Sequence, residues 1–255
     1  MAEGPAGRVL LVARLFNCMS EHSPLAAWRN QPLARRGFLR VTAASAATVA
    51  LISAGCSTAT PTPVVVDTHL LNLPTQENGL LYYVYLLALA KAALYQKVVD
   101  APASDLTATD RTLLAHMRDH EVIHREAIGY FINPNRTQVL PTDFAVNLSS
   151  FTLTTRAGVL AAAKKFEDLA AAAYPPILPL LTNSYHQALL VKMSSVQARS
   201  AAAVRDLLAP GSFADTDVVG PDGQQLTQTP TQVNAVLAPY FAPYVISVDN
   251  LPIPV

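Results

Sequence analysis

Cysteine is nearly absent from this sequence. Only Cys18 and Cys56 occur, both ahead of any helical pattern, which excludes a disulfide framework and a cysteine-ligated metal from the folded part. Charge is scarce as well: charged residues make up 14% of the chain, with 18 basic residues balanced by 18 acidic ones. Zero net charge gives no field that would gather polyanions, so nucleic acid is excluded as a partner class. A membrane-spanning run is missing too. The longest apolar stretch, Val41 to Gly55, has 15 residues, short of the roughly 20 needed to cross a bilayer. No nucleotide, phosphate or lectin motif is present. What remains is a chain that is 51% hydrophobic and rich in Ala and Leu, a mixture that favours helix and argues against disorder.

The N-terminal region reads as an export signal. From Ala34 the sequence ARRGFLRVTAASAATVALISAGCS places a pair of arginines before a weakly apolar run and small residues before a cysteine. It resembles a twin-arginine signal, through Arg35, Arg36, Phe38 and Leu39. The ending resembles a lipoprotein cleavage site, through Ser53, Ala54, Gly55 and Cys56. The expectation is a signal over residues 1–55, a lipid on Cys56, a polar, proline-bearing tether over 56–67, and an exported protein facing the periplasm or outer surface. Met19 is a second candidate start, and its use would remove Cys18.

Periodicity then predicts four helices, from about Gln76 to Val99, Ala108 to Ile132, Thr155 to Tyr174 and Ser184 to Leu208. Thr107 and Asp110 form a capping box for the second, and Pro175 and Pro176 stop the third. A connection of more than 20 residues without helical pattern separates the second and third helices, a length suited to a crossover from one end of a bundle to the other. The reading is therefore all-α: a four-helix bundle over residues 68–208, and an extension over 209–255 in which a capping box at Thr229 to Gln232 starts a short helix covering one end.

Each helix carries an interior stripe. The second presents Leu114, Met117, Glu121, His124, Ile128 and Phe131; the fourth presents Leu190, Met193, Gln197, Ser200, Val204 and Leu207. Leu160, Ala163, Glu167, Ala170 and Tyr174 line the third, and Val84, Leu87, Lys91, Leu94 and Val98 the first. Acids on apolar seams need a cation, a proton or strong hydrogen bonds, because an unpaired buried carboxylate costs several kcal/mol. A metal is one answer for Glu121 and Glu167, since inward Glu and Glu-x-x-His sets bind iron or manganese in four-helix bundles. The Lys91 ammonium is another.

The words HEVIHREAI, KKFEDLAAAAYPPILPLL and TPTQVNAVLAPYF make the chain similar to ferritin-like proteins of the exported, desiccation-related bacterial group, over most of Thr68 to Tyr240. The resemblance implies a ferritin-like bundle and a ligand set of which Glu121, His124 and Glu167 remain. Ala88, Gln197 and Ser200 stand at the other ligand positions. Without those ligands a bridged pair of metals is not expected. The leading reading is a non-catalytic envelope or stress-related protein with no cofactor and a degenerate site in which Lys91 supplies the missing charge. The alternative is an iron- or manganese-binding metalloprotein using Glu121, His124 and Glu167. A minor alternative is a zinc metalloprotease through His120-Glu121-Val122-Ile123-His124, although His120 falls off the stripe that carries Glu121 and His124. Self-association and a protein partner stay open. Arg199 and Arg205 are expected in solvent, and His69, His116 and His186 at the surface or in the core rather than on a metal.

Overall fold

A computed structural model describes residues 69–135 and 138–252; the export-signal and lipidation readings at Arg35, Arg36 and Cys56 lie outside them. Five helices follow a short strand: β1 (Leu70–Asn72), α1 (Gln76–Asp100), α2 (Ala108–Ile132), α3 (Arg156–Ala173), α4 (Ser184–Leu208) and α5 (Pro230–Phe241), with β2 (Val245–Ser247) closing the order. Among the described residues no helix is long and apolar enough to cross a membrane.

Local chemistry starts these helices where the sequence places them. Thr107 accepts from the Asp110 amide while Asp110 returns the bond to Thr107, and Thr229 and Gln232 do the same for α5. Thr155 caps α3 and Asn183 caps α4, each through a side-chain oxygen.

Contacts at the helix ends fix the directions. Arg156, opening α3, donates to both carboxylate oxygens of Asp110 near the start of α2, at 2.8 and 3.1 Å, and reaches the Leu207 carbonyl at the end of α4. At the other end Glu77, in the first turn of α1, accepts from the backbone of Thr182 and Asn183 at the entry to α4 and lies 2.6 Å from His186 Nδ1. Thus α2 and α3 run parallel, α1 and α4 run parallel, and the two pairs oppose each other. The segment between α2 and α3 must therefore travel the length of a 25-residue helix, about 37 Å at the usual rise. Its aromatics hold it in place: Phe151 stacks on Tyr240 at 5.1 Å, and Phe144 packs against Phe241 and Tyr244.

Three features differ from the sequence reading. First, α5 runs back along α3 rather than closing an end: the Gln228 amide donates to the Ala172 carbonyl, and Tyr240 meets Phe166 edge-on at 4.9 Å. Its Val233, Leu237 and Phe241 are buried in the bundle's own core. Second, β1 and β2 pair in parallel, Leu70 with Val245 and Asn72 with Ser247, joining segments that three-residue strands do not announce. Gly79 lets the chain after β1 cross close to α1, where a Cβ would lie 2.0 Å from the Pro74 carbonyl oxygen. Third, Arg205 is buried, not solvated. It makes paired hydrogen bonds of 2.7 to 2.9 Å to Asp168 and Asp217, because α4 places it beneath the loop that carries Asp217.

Burial pushes the Glu77 carboxyl up, but the bonds from Thr182, His186 and Asn183 outweigh it and hold the pKa at about 2, below the ordinary 4.5. Glu77→Gln is expected to lower stability at neutral pH by about 1 to 2 kcal/mol. A group with a depressed folded pKa stabilises above its unfolded value and loses that contribution as pH falls through the folded one. Urea denaturation should therefore show the deficit of the variant shrinking from pH 4.5 towards 2.

Candidate functional site

The four interior stripes meet at one point. Lys91 from α1, Glu121 from α2, Glu167 from α3 and Gln197 from α4 are each 1% exposed or less. Every stripe residue named for α1 and α3 is buried, as are Leu114, Met117 and Ile128 of α2 and Leu190, Met193 and Val204 of α4. The helical spacing thus delivers one polar cluster into an otherwise apolar core.

The ammonium is its centre. Lys91 Nζ lies 2.9 Å from Glu121 Oε1 and 2.7 Å from Glu167 Oε2, and it also meets Gln197 Oε1. The ammonium donates to Glu121 and Gln197 and pairs with Glu167 as an ion, so oxygens from three helices surround it. The Gln197 amide turns its nitrogen the other way, to 3.2 Å from both Glu121 Oε1 and His124 Nδ1. His124 is 8% exposed, with Nδ1 at 3.5 Å from Glu121 Oε1. Tyr95 donates to Glu167 Oε1 at 2.5 Å.

One ammonium beside two carboxylates leaves an excess negative charge if both acids ionise. The two acids divide that burden unequally. Burial pushes Glu121 up most, but the Lys91 charge and the nearby His124 together outweigh it and bring it down to about 2. Burial also raises Glu167, and there the repulsion from Glu121 adds to it, so its pKa stays above the ordinary value despite Lys91 and Tyr95. Lys91 is itself raised, the two carboxylates overcoming its loss of water.

Of the residues singled out from sequence, Glu121, His124, Glu167, Gln197 and Lys91 are brought together. Ala88 and Ser200 are buried on the same faces. His120 is exposed while Glu121 and His124 are buried, so the two histidines of the protease-like motif do not share a surface. Sequence reasoning missed Tyr95 as a partner of Glu167; its signal was the equal spacing of Ala88 to Tyr95 and Glu167 to Tyr174. Two carboxylates, an imidazole and an amide with an ammonium among them do not fit a bridged pair of metal ions, because the ammonium holds the oxygens that both ions would share. Among the described residues no group of three or more His, Cys, Asp or Glu is arranged to hold a metal ion.

Residues 76–210 match the family model of the ferritin-like domain, more than half of the chain, and the protein belongs to that family. No curated protein and no solved structure matches it.

Replacing Lys91 by Met strands two buried carboxylates, and Lys91→Met is expected to cost about 3 to 5 kcal/mol. Those acids would take raised folded pKa values, so the stability of the variant should rise as pH falls, opposite to the acid response of Glu77. Adding Glu121→Gln and Glu167→Gln to Lys91→Met should recover much of the loss in the same denaturation series.

Proposed function

We propose that this member of the ferritin-like family works without a metal centre, as a non-catalytic envelope or stress-related protein in which Lys91 supplies the positive charge. Membership of the family is the premise. The observation that carries the reading is the ammonium of Lys91, in contact with Glu121, Glu167 and Gln197 at once. A fixed cation at that point repels a second one and uses the lone pairs that a metal would need. Both acids of the cluster are paired with the lysine.

Export and anchoring complete the proposal. The arginine pair Arg35 and Arg36 and the small residues before Cys56 support delivery by the twin-arginine route and a lipid on Cys56. One or two acyl chains would hold the bundle at a membrane surface through the residues of the tether.

The competing reading keeps Glu121, His124 and Glu167 as ligands for iron or manganese. Elemental analysis of the purified chain, after incubation with ferrous or manganous salt and desalting, separates the two. We expect well under one metal per chain. A stoichiometric metal that disappears in Glu121→Ala would overturn the proposal. For the anchor, Cys56→Ser should release the protein from the membrane fraction.

A further inference from the structure

Three side chains of the central cluster stand in an order that covalent chemistry can use. Lys91 is an amine, Gln197 presents an amide carbonyl, and Glu121 is a carboxylate that touches both; all three are buried. The Lys91 nitrogen meets Gln197 Oε1, one bond from the amide carbon. Glu121 Oε1 lies 2.9 Å from that nitrogen and accepts from Gln197 Nε2 at 3.2 Å. One oxygen therefore contacts both the nitrogen that would attack and the nitrogen that would leave. Both distances suit a group that moves protons as general base and then general acid.

We propose that Lys91 and Gln197 react to form an intramolecular isopeptide bond, joining α1 to α4 with release of ammonia. The bond from Nζ to Cδ forms and the bond from Cδ to Nε2 breaks. Glu121 takes a proton from the ammonium, which frees the nitrogen lone pair to attack the amide carbon. Of the two protons that leave Nζ in all, one departs on Nε2 with the ammonia and the other stays on Glu121. Nothing is oxidised or reduced, and no co-reactant is needed. The cluster loses one positive and one negative charge together, so its net charge is unchanged, and Glu167 keeps its bond from Tyr95.

Among the oxygens around Nζ, only that of Gln197 belongs to a suitable electrophile. Glu121 and Glu167 are equally close, at 2.9 and 2.7 Å, but the negative charge of a carboxylate resists attack, whereas a neutral amide can expel ammonia. The leaving nitrogen also lies 3.2 Å from His124 Nδ1. His124 is the most exposed member of the cluster at 8%, which puts the departing ammonia on the side nearest solvent. Holding two reactants in contact gives effective concentrations on the order of 10⁵ M or more, and burial excludes the water that would compete. The two carboxylates favour the charged amine, which slows the attack, but the reaction needs to occur only once per chain. The ion cluster is the unreacted state of the same groups. The inference rests on the metal-free reading above, because it needs Lys91 on Gln197.

Peptide mapping of the purified wild-type chain by mass spectrometry, with elemental analysis of the same sample, tests it. We expect a branched peptide joining the segments of Lys91 and Gln197, lighter than its two parts together by one ammonia. Trypsin should no longer cut after Lys91. Glu121→Gln keeps both reacting groups but removes the base, and should abolish the branch and restore that cut. Lys91 and Gln197 recovered only in linear peptides from a metal-free sample overturn the linkage alone. Linear peptides from a sample carrying one iron or manganese per chain overturn the metal-free reading as well. A branch that survives in Glu121→Gln overturns the role of Glu121, and a loss of ammonia located at any other residue overturns the assignment to Gln197.

Discussion

One nitrogen atom holds the four helices in register. Lys91 Nζ projects from α1 and touches side chains of α2, α3 and α4, so a slip of α1, α2 or α3 by a single residue would leave a buried charge unpaired, and a slip of α4 would remove a polar partner. Apolar packing has no such penalty, because leucines and alanines tolerate small slides. A buried ion cluster adds little net stability compared with a well-packed apolar substitute. What it adds is a steep cost for wrong arrangements, and in a core as rich in alanine as this one, with ten of the eleven buried α3 residues apolar, that cost selects one packing.

The ends of the bundle follow the same rule with less burial. Asp110 takes the Arg156 guanidinium at one end, and Glu77 takes His186 and the α4 entry at the other. Each acid lies in the first turn of its helix, where the helix dipole already favours negative charge. His186 is further fixed by stacking on Phe131 at 4.5 Å. Ion pairs thus tie the helices together at both ends and at the centre, and the Arg205 pairs with Asp168 and Asp217 add a further tie from α4 to α3 and to the loop that carries Asp217. The up-down-down-up order follows from the end contacts without reference to any other protein.

Much of this was legible in the residues. Helix limits came within about two positions, because Thr107, Thr155, Asn183 and Thr229 are capping residues with local signatures, and the interior stripes came from spacing along single helices. Lys91 could be placed beside the acids for the same reason. The misses are all pairings between distant residues. Nothing near Arg205 announces Asp168 or Asp217, and an arginine on a helix reads as solvated until the loop above it is placed. The partnership of Leu70 with Val245 spans nearly the whole described chain and involves strands of three residues, too short for any alternation to register. The position of α5 was missed because its capping box marks where a helix starts, not which face of the bundle it meets.

The alanine at position 88 and the lysine at 91 are compatible for one physical reason. Side chains on a helix lean towards its N-terminus, so a lysine at 91 carries its ammonium back towards the level of residue 88. A carboxylate at 88 would crowd the same space and add a third acid to a cluster that has a single cation. With alanine there, the cluster holds two acids and one base, and burial together with the repulsion from Glu121 raises the Glu167 pKa. Gln197 fits the same logic: an acid at that place would restore the excess, whereas its amide offers an oxygen to the ammonium and a nitrogen to Glu121. Ala88, Lys91 and Gln197 are mutually dependent, so an acid placed at 88 or at 197 alone would add an unbalanced charge to the cluster.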